Sequence, residues 1–434
     1  MKTITCVTDL TFGDAGKGTS VQRLVKETNS GLVIRAAGGS QCAHTVISPK
    51  GIQHTFCQFG SGTLVGANTF YGPAAYFNPI VCDLEATALE KKGVINPKGL
   101  FYLHENALVT TPYHRALNRL KEISRKKSIH GSCGVGIGET ARIGIEHPDV
   151  ALRVKELTLP NGYLSLFYED LQKLIWSEVK KLKNDLNLKD HAVIAEIETF
   201  KVPVSELIER TKKALEGITI ITEKETSSFL NGFDSCVAEG NQGVLIDEDY
   251  GFHPYTTWSK TTSHHVYNLR STYNLNHEIK DYGVIRTFLT RHGPGPFPSE
   301  SLELPNVLTE LHNGNNQWQQ HFRIGYFDPL LLKYAIEVNR GIDGLIVSHC
   351  DWLCKASWLC VKEYSNTDKL VPPKYPNLEI QERVTNSLLA ATPIYDTKLI
   401  KAQEVVPTIA NKLETNIIMQ SNGPEFGQYT INQK

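Results

Sequence analysis

The chain lacks a surplus of charge of either sign. Its 434 residues carry 45 Lys plus Arg against 46 Asp plus Glu, a formal net charge of −1. Nucleic-acid binders usually show a basic excess or stripe, so the balance argues against that class. The short basic run Arg125-Lys126-Lys127 reads as a solvated helix end. No stretch approaches the ~18 consecutive apolar residues of a membrane-spanning helix. The first ten residues hold one lysine and a short apolar run, without the layout of a secretory signal. The nine cysteines are odd in number, scattered, and free of any C-x-x-C pair. Cys350 and Cys354 stand four apart, but no His/Cys cluster completes a zinc site. Repeats, low-complexity segments and obvious linkers are missing as well. The expectation is a cytoplasmic protein with reduced, mostly buried thiols and with neither a nucleic-acid nor a membrane partner.

What is there is ordinary folded-protein material, 41% apolar and 21% charged. Residues 3–10 (TITCVTDL) form a β-branched, apolar run that predicts a buried strand. A glycine turn follows, and Val21, Leu24 and Val25 begin a helical pattern. A second strand fits residues 31–35 (GLVIR), again followed by glycines. Residues 164–182 carry apolar side chains at helical spacing, and residues 205–216 repeat the pattern. Later strands are expected at 218–222, 343–348 and 416–420. Length alone would suggest two or three domains at about 150 residues each. The alternation of strands and helices to the end instead predicts one large α/β domain over 1–434. Its core would be an extended, mostly parallel central sheet flanked by helices, with helical and loop insertions at 100–215.

The most informative stretch is Gly13-Asp14-Ala15-Gly16-Lys17-Gly18-Thr19. It is not a Walker A loop, because Lys17 is followed by Gly18 and the glycine spacing is short. The physics is still that of a phosphate cradle: glycines turn backbone N–H groups toward an anion, and the helix that follows adds favourable potential. A carboxylate inside such a loop fits if it meets a metal ion or takes a proton. A second glycine-led loop, residues 38–45 (GGSQCAHT), follows the next strand and brings His44 toward the first. A carboxylate and a histidine facing one another make an acid/base pair.

These loops resemble those of adenylosuccinate synthetases, G-D-E-G-K-G and G-G-x-N-A-G-H-T. The resemblance continues through residues 132–138 (SCGVGIG), 239–247 (EGNQGVLID), 251–259 (GFHPYTTWS), 290–300 (TRHGPGPFPSE, against T-R-V-G-A-G-P-F-P-T-E), 348–351 (SHCD) and 421–424 (SNGP). The family phosphorylates the 6-oxygen of IMP with GTP and Mg²⁺, after which the amino group of aspartate displaces phosphate. The resemblance implies that Asp14 is the base and a Mg²⁺ ligand, and that His44 is the acid beside the transferring phosphoryl group. It sets Gly13, Ala15, Gly16, Lys17, Gly18 and Thr45 along the nucleotide. The main chain of Ala43 would supply a metal oxygen. Asp351 would read a guanine edge, with Ser421, Gly423 and Pro424 beside that base. Gln41, Cys133, Gln242, Thr257 and Arg323 fall on the acceptor side, Gln242 also being a candidate for the chemistry. A homodimer is implied too, since the family completes its nucleotide pocket across a two-fold interface.

The departures are grouped. The family's aspartate loop, T-T-G-R-R-R-R-T-G-W-L-D, is replaced by residues 317–328 (QWQQHFRIGYFD), where only Arg323 survives of the arginine run. Guanidinium groups hold a dicarboxylate best, so aspartate binding should weaken by several kcal/mol at roughly 1.5–3 per charged hydrogen bond. In the monophosphate pocket Gln41 replaces Asn, Cys133 replaces Thr and Val135 replaces Arg. The arginine donated by a partner subunit has no clean match, Arg142 and Arg153 being the nearby candidates. Ala15 replaces a Glu, His349 replaces a Lys beside Asp351, and Ser263-His264-His265 has no counterpart. Three readings follow: a divergent ligase with another acceptor or amine, an ordinary IMP–aspartate enzyme that has drifted, or a non-catalytic nucleotide-binding regulator. The kept pair Asp14 and His44 weighs against the third.

Overall fold

The computed structural model describes all residues except 127–131, 311–317, 319–320, 368, 399 and 433–434. The first strand, β1 (Thr3–Asp9), is buried at six of its seven positions, and β2 (Leu32–Gly39) at all eight. Strands covered on both faces read as apolar runs without alternation, which is why these two are legible. The same sheet continues in chain order with β3 (Asn68–Phe77), β4 (Phe101–His104), β5 (Leu108–Val109), β6 (Thr219–Ile221), β7 (Ser235–Gly243), β8 (Glu278–Arg286), β9 (Gly344–Ser348), β10 (Ile417–Ser421) and β11 (Tyr429–Ile431). The spatial order is β11-β10-β9-β8-β1-β7-β2-β3-β4-β6, with β5 beside β3. Every pairing is parallel except the last hairpin, β10 with β11. The expected mostly parallel central sheet is therefore present.

Parallel neighbours need crossovers, and helices supply them. The helix Lys17–Glu27 follows β1 and buries Val21, Leu24 and Val25 among Val7, Val33, Val237 and Ile346. The stretch 112–215 is largely helical, with the predicted long helix found at Asn161–Lys181 and the next at Val204–Leu215. Leu117, Leu171 and Ile175 from these helices join Phe77 and Phe101 of the sheet in one apolar cluster. None of the described helices is long and apolar enough to cross a membrane.

Because the strands run the same way, their C-terminal ends share one edge. Asp9 of β1 stands opposite Val284 of β8 and Gly243 of β7, and Gly39 and Ser348 end β2 and β9. The loops that leave this edge carry the residues singled out above. One boundary differs from expectation. Gly38 and Gly39, expected in a loop, are the last two residues of β2, because small side chains let the strand run on beside β3. Close approach to backbone is tightest at Gly243, where an added Cβ would lie 2.0 Å from the Thr11 carbonyl oxygen and 2.4 Å from the Gly13 nitrogen. Both are backbone atoms and cannot swing away. Gly243→Ala should cost about 2 kcal/mol or more of folding stability, read from its urea midpoint; an unchanged midpoint would contradict the packing described.

Candidate active site

The glycine loop is organised by Asp9, which is fully buried at the end of β1. One carboxylate oxygen accepts from the Thr11 backbone at 2.8 Å and its hydroxyl at 2.7 Å. The other accepts from the Ala15 N–H and from the Lys17 ammonium, both at 2.9 Å. Lys17, expected along the nucleotide, is therefore held beneath the loop in a buried ion pair, and breaking such a pair from one side costs about 3–5 kcal/mol. Ser348, in the SHCD stretch, donates to the Ala15 carbonyl at 2.7 Å and closes the loop from the other side. Gly13 and Gly16 have φ of 112° and 88°, open to glycine at little cost. Between them Asp14 is half-buried with φ 59°.

His44 opens the short hairpin His44–Ile47 with Gln53–Phe56. A Cβ on Gly18 would lie 2.7 Å from its Cβ, so the helix start and this histidine are in direct contact. His44 Nδ1 is 2.5 Å from Glu239 Oε1, and Nε2 is 3.3 Å from the Asn241 carbonyl oxygen. Glu239 also accepts from the Ser61 backbone at 2.9 Å and from its hydroxyl. Burial opposes its charge, but His44, Arg35 and Ser61 outweigh burial and hold the carboxyl down at about 2. At Asp14 burial is likewise outweighed, by His292 at 3.3 Å and by the charges of Lys17 and Arg286, and its carboxyl lies at about 2.

The acceptor-side residues fare unequally. Both amide atoms of Gln41 are buried without a partner among the described residues. Gln242 accepts from the Ser259 hydroxyl at 3.0 Å and faces the Cys42 thiol at 3.4 Å. Cys133 has its thiol pushed up by burial to about 11, so it is neutral. Thr257 is tied by its backbone to Ile246, and the neighbouring Trp258 packs against Gly138. Arg323, expected on the acceptor side, is engaged within its own loop. Its guanidinium donates to the Gly293 and Gly295 carbonyls at 3.1 and 3.0 Å and pairs with Glu300, so the one surviving arginine braces a loop. Arg142 is similarly committed, to Glu139, Glu146 and Glu178 of its own chain, and Arg153 donates to the Asn106 carbonyl. From the rewritten aspartate loop, Gln317, Gln319 and Gln320 lie outside the described residues; Trp318 packs against Gly134 with Arg119 over its ring.

At the far end, Asp351 is the second residue of the turn Cys350–Cys354, and its carboxylate lies 3.8 Å from the Lys355 ammonium. His349 beside it is held well below its ordinary value by burial and by Arg286, and so adds no charge there. Arg23, from the helix Lys17–Glu27, donates to Ser421 at 2.6 Å and to the carbonyls of Gly423 and Glu425 at 3.2 and 2.7 Å. It ties the segment Ser421–Gly423–Pro424 to the helix that follows the glycine loop. Thr45 is bonded across its hairpin to Thr55 at 2.8 Å. His264 and His265 start the helix His264–Thr272, partly buried.

A sequence model of adenylosuccinate synthetase matches residues 6–430. The chain belongs to that family. An adenylosuccinate synthetase of Flavobacterium johnsoniae is 28% identical, with 98% of this chain and 99% of the relative covered. One from Neisseria meningitidis is 29% identical, over 78% and 75%. Among solved structures, a fully ligated adenylosuccinate synthetase from Plasmodium falciparum has a TM-score of 0.77 at 18% identity, covering 99% of both chains. A cyanophage S-2L succinoaminodeoxyadenylate synthetase, bound to dGMP and to dATP as an energy donor, has a TM-score of 0.60 at 16% identity, over 100% of this chain and 96% of that one. The likeness in fold covers the whole sheet. As an adenylosuccinate synthetase-like enzyme, the protein is a nucleoside triphosphate-dependent ligase that forms a C–N bond on small-molecule substrates.

Asp9, Glu239, Arg23 and His292 were not among the residues picked from the sequence. Asp9 and Glu239 carried a usable signal: each is the one charged residue of its strand, and a charge in a buried strand is not tolerated unpaired. Glu239 binds its proton more weakly in the folded state than in the unfolded chain. Its stabilisation is complete above about pH 4.3 and is lost as pH falls toward 2. Glu239→Gln should be less stable than the parent by about 3 kcal/mol at pH 7, with the gap closing in acid. Urea midpoints measured across pH check this, and a gap independent of pH would contradict the pairing.

Proposed function

We propose that this protein is a divergent adenylosuccinate synthetase-type ligase acting on a 6-oxopurine nucleotide or a close relative of one. Asp14 is the base and His44 the acid. A purine 6-oxo group is an amide-like oxygen and leaves poorly. Asp14 takes the N1 proton, charge builds on O6, and O6 attacks the γ-phosphorus of the nucleoside triphosphate. A carboxylate at about 2 is ionised at neutral pH and is a weak base, so proton removal goes forward only as O6 gains phosphorus. Glu239 holds the ring through Nδ1, and His44 acts as acid from Nε2, which rests 3.3 Å from the Asn241 carbonyl oxygen, toward the oxygen that acquires charge as the β,γ bond breaks. An amino group then displaces inorganic phosphate from C6. Gln41, Cys133, Gln242 and Thr257 line the acceptor side.

Hard oxygen donors suit Mg²⁺, and nucleotide enzymes hold it with one or two protein oxygens plus phosphates. The Asp14 carboxylate and the Ala43 main chain fit that pattern, and no cluster of three or more His, Cys, Asp or Glu ligands occurs among the described residues. Bound there, Mg²⁺ would neutralise charge on the transferring phosphoryl group. GTP is favoured over ATP by Asp351, whose carboxylate matches the donor edge of guanine. The homodimer and the cytoplasmic setting rest on family likeness, and the internal pairing of Arg142 leaves the cross-subunit arginine unassigned.

The observation that carries the divergent reading is the split between two halves of the site. The nucleotide side keeps Asp14, Lys17, His44, Asp351 and the segment 421–424 and is tightly braced, whereas the amine side has lost most of its arginines and the survivor pairs with Glu300. The fold likeness to a synthetase that holds dGMP adds support for a 2-amino-6-oxopurine deoxynucleotide as acceptor. The second reading, an ordinary IMP–aspartate enzyme, draws on the names of the curated relatives. Phosphate release with Mg²⁺ and GTP or ATP, against IMP or dGMP, with and without L-aspartate, separates them. Release with dGMP and not IMP supports the first reading, and aspartate-dependent release with IMP the second. Asp14→Asn and His44→Ala should each lower turnover by about 100- to 10,000-fold. Variants within a few-fold of the parent would end the acid/base assignment.

A further inference from the structure

We propose that His292 is a positioning residue that fixes the carboxylate of Asp14. Among the described residues it is the one side chain within ion-pair distance of that carboxylate, Nε2 to Oδ2 at 3.3 Å. It comes from a different part of the chain, the hairpin Leu289–His292 with Phe322–Gly325. In that ladder His292 stands opposite Phe322, whose ring meets the imidazole edge-on with centroids 4.8 Å apart. The strand end is rigid. Arg291, next along, is buried and donates to the Pro294 and Pro296 carbonyls at 3.1 and 2.9 Å. Arg323, opposite Arg291, donates to the carbonyls of Gly293 and Gly295. The imidazole is thus wedged between an aromatic wall and a stiff turn, with Nε2 aimed at the loop.

The Asp14 backbone alone does not set its side chain. The residue sits at φ 59° between two glycines, on a loop whose other bonds belong to Thr11, Ala15 and Lys17. An N–H donor from outside the loop supplies the missing restraint. The family sequence quoted above has valine at this position, which donates nothing. The substitution therefore adds a contact to the base. The partner strand Phe322–Gly325 belongs to the rewritten stretch 317–328, so the contact to the base and part of that stretch share one hairpin.

This inference rests on Asp14 as the base, and the test keeps the two apart. His292→Val removes the donor, and His292→Gln keeps an N–H at similar reach. Acceptor-dependent phosphate release should fall about 10- to 100-fold in kcat for His292→Val with KM for the triphosphate nearly unchanged, as expected for a misplaced group rather than a lost binding contact. His292→Gln should regain most of the loss. Crystal structures of the parent and both variants should show the Asp14 carboxylate swung away in the valine variant and held in the glutamine one. Parent-like turnover in His292→Val, an equal loss in His292→Gln, or an unmoved carboxylate in the valine variant would overturn the proposal. A parent enzyme that releases no phosphate with any 6-oxopurine nucleotide would sink the functional reading, while the crystallographic comparison would still decide the positioning.

Discussion

The site depends on one buried carboxylate. Asp9 ends the central strand of the sheet and spends both oxygens on the loop that follows, two bonds to Thr11 and one each to Ala15 and Lys17. A charge with no exposure is tolerable only when paired and fully hydrogen-bonded, and the glycine loop is the shape that satisfies it. The left-handed glycines, the exposed face of Asp14 and the start of the helix Lys17–Glu27 follow from that constraint. Lys17 consequently answers first to Asp9.

Around this centre the fold repeats one device: a charged side chain from a distant segment ties a loop in place. Glu239 holds His44, Arg23 holds the segment at Ser421, and Arg323 with Glu300 holds the turn after His292. These ties stiffen the nucleotide side before any ligand arrives. The amine side is built differently. Where a dicarboxylate pocket would present free guanidinium groups, this chain presents Trp318 packed on Gly134 and an arginine already neutralised. A scaffold so firm on one side and so changed on the other suits an enzyme that kept its activation chemistry and altered what it joins.

The fold was largely legible in the sequence. Strands β1, β2 and β9 are apolar runs because both faces are covered, and the helix Asn161–Lys181 shows its buried stripe at Leu164, Tyr168, Leu171 and Ile175. Ends shifted by a few residues, most at β2, where glycines served as strand rather than loop. The candidate site was legible where a motif is contiguous, as in the glycine loop and the loop of His44. It was not legible where a role depends on a partner far along the chain. Nothing near Arg323 in sequence announces that Glu300 will claim it, and nothing near Asp14 points to a histidine from a hairpin almost three hundred residues on. Pairing of this kind is decided by the topology of the sheet.

If Asp9 shapes the glycine loop to receive a triphosphate, Mg²⁺–GTP binding to Asp9→Asn, followed by titration calorimetry, will show it. The substitution keeps the size of the side chain and an oxygen for Thr11. It turns an NH₂ group toward the Ala15 N–H and the Lys17 ammonium, two donors that need an acceptor. The loop must then move. The expected result is a folded protein whose affinity for the nucleotide falls about 10- to 100-fold, the loss of one or two charged hydrogen bonds. A folded variant with parental affinity would mean that the loop takes its shape without Asp9 and would contradict its role.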